Sequence, residues 1–253
     1  MSGGKIEILR PDWALPVEAG FTTRCGGVSN PPYDTLNLAM HVGDDPAAVR
    51  ENRRRLGEQA GLPEQPRWLK QVHSTRVVHA SEVEPDVTEA DAVWTDQPGQ
   101  VCAVLVADCL PLLFADRAGR CVAAVHAGWR GLAAGIIQRT IETLPVPASD
   151  LLVCIGPCID AEAYEVGAEV IEAMIAGGTV PCSWPSPAAD NRLQMDLAAT
   201  AQGVLGQAGV EAVTTVRRCT NTEGETLYSY RRSGITGRIA GYVVPRMSHC
   251  NSS

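Results

Sequence analysis

Two strand-like runs in the middle of the sequence each end on side chains able to do chemistry. Val101–Ala107 (VCAVLVA) delivers Asp108 and Cys109, and Cys121–Val125 (CVAAV) delivers His126. A third candidate, His73, stands upstream, where the alternation of Trp68–Ala80 (WLKQVHSTRVVHA) breaks at His73–Ser74. A Cys thiolate with two neutral imidazoles suits Zn²⁺ and leaves one coordination position open, the mark of a catalytic rather than a structural site. The three residues are far apart in sequence, with none of the short CxxC or HxxxH spacings that identify zinc sites. Their types alone therefore leave three readings open: a metal site, a Cys–His nucleophile pair, and core residues with satisfied hydrogen bonds.

The segment after His126, Ala127–Gly131 (AGWRG), is expected to open an amphipathic helix. Gly128 and Gly131 would let backbone N–H groups approach an anion at the helix N-terminus, and Arg130 would add a fork of donors. The plain alternative is a tight strand-to-helix turn with Trp129 packed over it. Arg24 in TTRCGG and Arg231 in SYRR are further candidates for binding phosphate. Asp108 is a candidate acid for a leaving group, or a carboxylate that orients a ligand from behind. Pro111 is expected to end the local ladder.

The elements that must position these groups alternate irregularly. Asp45 and Pro46 start a helix that Gly61 stops, with Arg53, Arg54 and Arg55 read as a solvated face. Strands are expected at Phe21–Gly27, Ala92–Thr95, Leu151–Ile155 and Val210–Val216. Leu227–Tyr230 and Ile239–Val244 read as a strand pair. Helices are expected over Ala161–Ala176 and Met195–Ala208, a loop over 179–192, and a polar, frayed tail over Met247–Ser253. Several strand connections have hairpin length, so a mixed α/β sandwich is favoured over a doubly wound parallel sheet. At 253 residues the chain fits one large domain with a full core.

Composition narrows the partners. The net charge of −8 gives no general attraction for nucleic acid or anionic membrane. No segment is apolar for long enough to span a bilayer, and the N-terminus lacks a signal-peptide pattern. Nine cysteines, mostly inside apolar runs such as those around Cys102, Cys121 and Cys154, read as buried thiols of a cytoplasmic protein. No common nucleotide fingerprint opens a helix.

The blocks TTRCGGVSNPPYDTLNL, WLKQVH, ADCLPLLFAD, AAVHAGWRGL, GPCI…AYEVG and RCTNTEGETLYSYRR, in this order, resemble the bacterial laccase-like family. That family is named in turn multicopper polyphenol oxidase, purine nucleoside phosphorylase and peptidoglycan editing factor. The resemblance covers roughly residues 10–245 of a single domain, 1–253. It implies an α/β sandwich of mixed β-sheets flanked by helices and a zinc site formed by His73, Cys109 and His126. It implies phosphorolysis of adenosine, inosine and methylthioadenosine, with adenosine deamination. The alternatives are release of L-Ser from a UDP-muramyl precursor by a hydrolase, or copper-dependent polyphenol oxidation. A true multicopper oxidase needs many histidines in HxH-type pairs, and this chain has five scattered ones. Cu²⁺ can still occupy N/S ligands in vitro. The expected partner is a small molecule: a purine nucleoside with phosphate, or the muramyl precursor.

Overall fold

A computed structural model describes residues 4–186 and 192–246. In chain order the elements are β1 (Ile8–Leu9), β2 (Val17–Thr22), α1 (Pro46–Ala60), β3 (Val77–His79), β4 (Ala92–Thr95), β5 (Cys102–Val106), β6 (Leu110–Asp116) and β7 (Val122–Ala127). There follow α2 (Trp129–Ala133), α3 (Ile136–Thr143), β8 (Leu151–Ile155), β9 (Glu165–Val166), α4 (Ala168–Ala176), β10 (Cys182–Pro185) and β11 (Leu193–Asp196). Last come α5 (Leu197–Gln207), β12 (Ala212–Thr215), α6 (Tyr230–Ser233) and β13 (Ile239–Pro245).

The expected sandwich of mixed sheets flanked by helices is what the chain forms. One sheet has the order β1-β2-β13-β5 and the other β12-β8-β6-β7-β4-β3, with a small third sheet β10-β11-β9. The β12–β8 and β3–β4 pairs are parallel and the remaining pairs of the large sheet antiparallel. Both sheets are apolar on both faces, which is why their strands read as continuous hydrophobic runs. Phe21, Val104 and Val243 of the first sheet pack on Leu113, Val122 and Ala124 of the second. One residue along each strand, Leu112, Phe114, Ala123 and Val125 face Ile136, Ile137, Met174 and Leu205 of the covering helices. The far face of the first sheet, with Leu105, Ala240 and Tyr242, packs on Leu56 of α1 and on Leu36 and Leu38.

Several elements differ from the sequence reading. Pro111 does not end a ladder: it sits inside β6, opposite His126. Near a strand end its missing N–H costs no central ladder bond, and its carbonyl still accepts from Gly156 N at 2.9 Å. Leu227–Tyr230 is no strand. Residues from Tyr230 form α6, and β13 pairs with β2 and β5 instead. Ala161–Ala176 is not one helix: Ala161–Ala163 is a single 3-10 turn and the α-helix begins at Ala168, because Glu165–Val166 between them joins the third sheet through β11. The helix after Gly128 is broken, since Gly135 takes the left-handed conformation (φ 91°) between α2 and α3. The expected loop over 179–192 contains β10. Its residues 187–191 and the tail Met247–Ser253 lie outside the described residues. Arg53 is not solvated. It is buried, forks onto Asp86 at 2.6 and 2.8 Å, and stacks on Trp68.

Candidate metal centre

The sheet order brings three distant segments to one end of the large sheet. β7 is paired on one side with β6 and on the other with β4. His126 lies near the end of β7, and Cys109 lies in the turn that leads into β6. His73 lies in the loop before β3, held at φ 60°. The ligand atoms of His73, Cys109 and His126 all lie within 4.8 Å of one another. Cys109 Sγ is 3.8 Å from His73 Nε2, and the two imidazoles meet edge to face with centroids 4.8 Å apart. Tetrahedral zinc with such ligands spaces them roughly 3.5 Å apart, so the trio fits a metal ion. Among the described residues it is the one cluster of this kind.

The reason the loop and the strand meet is Asp91, which stands just before β4 and is fully buried. One of its oxygens accepts from His126 Nδ1 at 2.8 Å and from the backbone N of His73 at 3.0 Å. The other accepts from Ser74 N at 2.6 Å, Ser74 Oγ at 2.8 Å and Val72 N at 3.3 Å. One carboxylate thus shapes the His73 loop and orients the His126 ring, leaving Nε2 available to a metal ion. Burial pushes the Asp91 carboxyl up, but His126 and Ser74 outweigh it and hold it below its ordinary value. Sequence reasoning passed over Asp91. Its visible signal was an acidic residue at the junction of the polar 81–90 loop and a short apolar strand.

Without a metal, burial pushes the Cys109 thiol up, but the adjacent His126 and His73 pull it down to about 6. Burial lowers His126, and the negative charges of Cys109 and Asp91 reverse this to about 9. Cys109 and His126 thus favour each other's charged form, and a metal ion at His126 competes with its proton.

Gly128 is constrained by the trio itself. A Cβ there would lie 2.6 Å from His73 Cδ2 and 3.1 Å from Cys109 Sγ. Its φ of −66° is open to any residue, so glycine is required by the ligands and not by the backbone. Gly128→Ala is expected to lower metal affinity about 10-fold or more while the urea midpoint moves little. Equal metal affinity in the variant would contradict this role.

The trio opens into a cavity of about 430 Å³ walled by Trp129, Tyr164 and Tyr230 and carrying Arg130, Arg231 and Arg238. Arg130 and Arg231 stack on Trp129 and Tyr164. Arg24 is not brought there. Its donors go to the Asp34 carboxylate and to the carbonyls of Asp34 and Gly224, and it stacks on Tyr228. Asp108 lines the cavity but does not touch a ligand imidazole through any hydrogen bond. Its oxygens accept from Thr220 Oγ1 at 2.6 Å and Arg231 N at 2.7 Å. It ties the Cys109 turn to α6 and leaves the orienting role to Asp91.

The sequence profile of the multi-copper polyphenol oxidoreductase laccase family matches residues 18–246. A purine nucleoside phosphorylase of Pseudomonas aeruginosa is 49% identical over 238 residues, which is 93% of this chain and 97% of that protein. A purine nucleoside phosphorylase of Escherichia coli is 44% identical over 239 residues, 94% of this chain and 98% of that protein. Among solved structures, a Neisseria meningitidis protein superposes with a TM-score of 0.88 at 41% identity, over 96% of this chain and all (100%) of that one. YlmD from Geobacillus stearothermophilus does so with a TM-score of 0.82 at 32% identity, over 94% of each chain. With the profile spanning nearly the whole sandwich, this chain belongs to the multi-copper polyphenol oxidoreductase laccase family.

Proposed function

We propose that this protein is a zinc-dependent purine nucleoside phosphorylase, acting on adenosine, inosine and methylthioadenosine with inorganic phosphate. The observation that carries the reading is a single three-ligand centre opening into an aromatic cavity lined by arginines. The relatives named purine nucleoside phosphorylase agree with it. Copper-cluster chemistry has no support in the site, because among the described residues there is one such trio, enough for one ion. A cavity of about 430 Å³ suits a nucleoside, and Trp129, Tyr164 and Tyr230 offer π-faces to a purine.

His73, Cys109 and His126 would hold the ion, which when bound supplies positive charge and an open coordination position. The remaining work falls to the chain. The aromatic walls exclude water from the glycosidic bond. Arg130 and Arg231 orient phosphate for attack of its oxygen on C1′. That C1′–O bond forms as the C1′–N9 bond breaks, and the electron pair leaves with the purine, which takes up the proton that hydrogen phosphate gives up on becoming the phosphate ester. Asp108 acts as a positioning residue: it accepts from the backbone N–H of Arg231 and so fixes that residue beside the cavity. Adenosine deamination is proposed at the same trio. The address we propose is the cytoplasm, consistent with the buried free thiols of Cys102, Cys121 and Cys154.

Metal-loaded protein given inosine or adenosine with phosphate should release free base and ribose 1-phosphate. Release of serine from the UDP-muramyl precursor, or oxidation of a phenol, without nucleoside turnover would overturn the assignment.

A further inference from the structure

Every basic side chain among the described residues but one is either solvent-exposed or within ion-pair distance of a carboxylate. The exception is Arg238, which is half-buried, lines the metal cavity and has no carboxylate partner. A guanidinium withdrawn from water without a counter-charge is costly. Burial indeed pushes its pKa below the ordinary arginine value. The acidic groups whose charges reach it are Cys109, Asp108, Tyr230 and Tyr33; Cys109 belongs to the trio, Asp108 is held by Thr220 and Arg231, and neither tyrosine offers a carboxylate.

The side chain is nevertheless fixed. Its Nη1 donates to the carbonyls of Thr236 and Gly237 at 2.9 and 3.0 Å. Its backbone is tied at both ends, with N donating to Asn37 Oδ1 and the carbonyl accepting from Leu38 N. Nε and Nη2 donate to no described residue. These two donors form the edge with which a guanidinium grips two oxygens of a carboxylate or phosphate at once.

We propose that Arg238 anchors an oxyanion subsite in the metal cavity, where its Nε–Nη2 edge takes a phosphate dianion. This rests on the phosphorylase reading only for the origin of that dianion: the co-substrate itself, or a phosphoryl group carried by a nucleotide. Arg231 and Arg130 are exposed, whereas Arg238 is half-buried, held through Nη1 and set 5.9 Å from the Tyr230 ring centroid, so the first two supply supporting charge and Arg238 supplies the fixed fork.

The test is binding of inorganic phosphate, and separately of adenosine 5′-monophosphate, to metal-loaded wild type, Arg238→Gln and Arg238→Lys, followed by ³¹P NMR. Metal content and circular dichroism verify the fold of each variant. The glutamine variant is expected to weaken phosphate binding about 10–100-fold, the worth of a charge-assisted pair of hydrogen bonds. The lysine variant should recover only part of it. Where turnover is measured, KM for phosphate rises by a similar factor and KM for the nucleoside holds within about 3-fold. If the glutamine variant does not fold, the lysine variant alone decides, since it keeps the charge and loses the fork. Phosphate binding that depends on Arg238 without any nucleoside turnover supports the subsite and refutes the phosphorylase reading. Tighter binding of the nucleotide than of phosphate, lost with Arg238, supports the subsite and assigns its phosphate to the substrate. Undiminished phosphate binding in the folded variants, or no binding of either ligand by wild type, overturns the proposal.

Discussion

Cys109→Ser is expected to lose bound metal and nucleoside turnover together while the sandwich stays folded. The substitution keeps the shape of the side chain and replaces a thiolate, held down at about 6 by its two histidine neighbours, with a hydroxyl that stays protonated. A neutral hydroxyl is a poor ligand for zinc, which takes thiolate, imidazole or carboxylate. Changes to groups behind a metal site lower affinity 10–100-fold, and loss of a ligand itself should exceed about 100-fold. Cys109 is only partly buried and sits at the edge of a small apolar cluster, so the urea midpoint should shift little in the metal-free proteins. Metal content by mass spectrometry under native conditions reads the effect directly. Chelation of the wild type separates the metal reading from a Cys–His nucleophile pair. A nucleophilic thiol would keep wild-type activity after chelation, whereas the metal reading predicts that chelation silences wild type and added zinc restores it.

Asp91→Asn is expected to weaken metal binding about 10–100-fold and, unlike the cysteine change, to destabilise the fold by roughly 2–4 kcal/mol. The carboxylate is fully buried and accepts from three backbone N–H groups, one hydroxyl and one imidazole. An amide of the same size turns one acceptor into donors, so one side of that array faces N–H against N–H. Either His126 loses its orienting partner or the His73 loop loses its shape, and both routes reach a metal ligand. The acid limb of stability carries a second signature. Since the folded pKa of Asp91 lies below its unfolded value, its contribution is present above the unfolded value of about 3.9 and is lost as pH falls through the folded one. The asparagine variant should lack that part of the acid unfolding. Metal competition against a chromophoric chelator and urea unfolding across pH check the two halves. Wild-type metal affinity in the variant would show that His126 and His73 are positioned by something else.

The three candidate ligands were legible as reactive side chains because two of them end strong apolar runs, but their types left a metal site, a nucleophile pair and core residues open, and the family resemblance joined them into one trio. Cys109 and His126 sit where VCAVLVA and CVAAV place them, and His73 sits at the break in the alternation of Trp68–Ala80. Much of what supports them was hidden in pairing. Asp91 matters because β4 lies beside β7, a neighbour relation that no local pattern encodes. Gly128 reads locally as a phosphate-loop glycine, and only the tertiary structure adds the 2.6 Å approach of a Cβ there to a side chain 55 residues earlier in the chain. Arg24 and Arg238 show the same limit from the two sides. Both are arginines next to glycine- or threonine-containing turns, and only the tertiary structure shows that Arg24 finds Asp34 while Arg238 finds no carboxylate. Strand order also explains the misread C-terminal pair. Ile239–Pro245 is satisfied on both edges by β2 and β5, so Leu227–Tyr230 has no edge left on it to join.

The most direct test of a phosphate-using nucleoside enzyme built on this trio is to follow phosphorus itself. Wild-type protein loaded with one equivalent of zinc, given inosine and inorganic phosphate, should convert the phosphate ³¹P resonance into that of ribose 1-phosphate, at a rate that tracks metal content across partly loaded samples. Hypoxanthine release with the phosphate resonance unchanged, or turnover independent of metal content, would contradict the account.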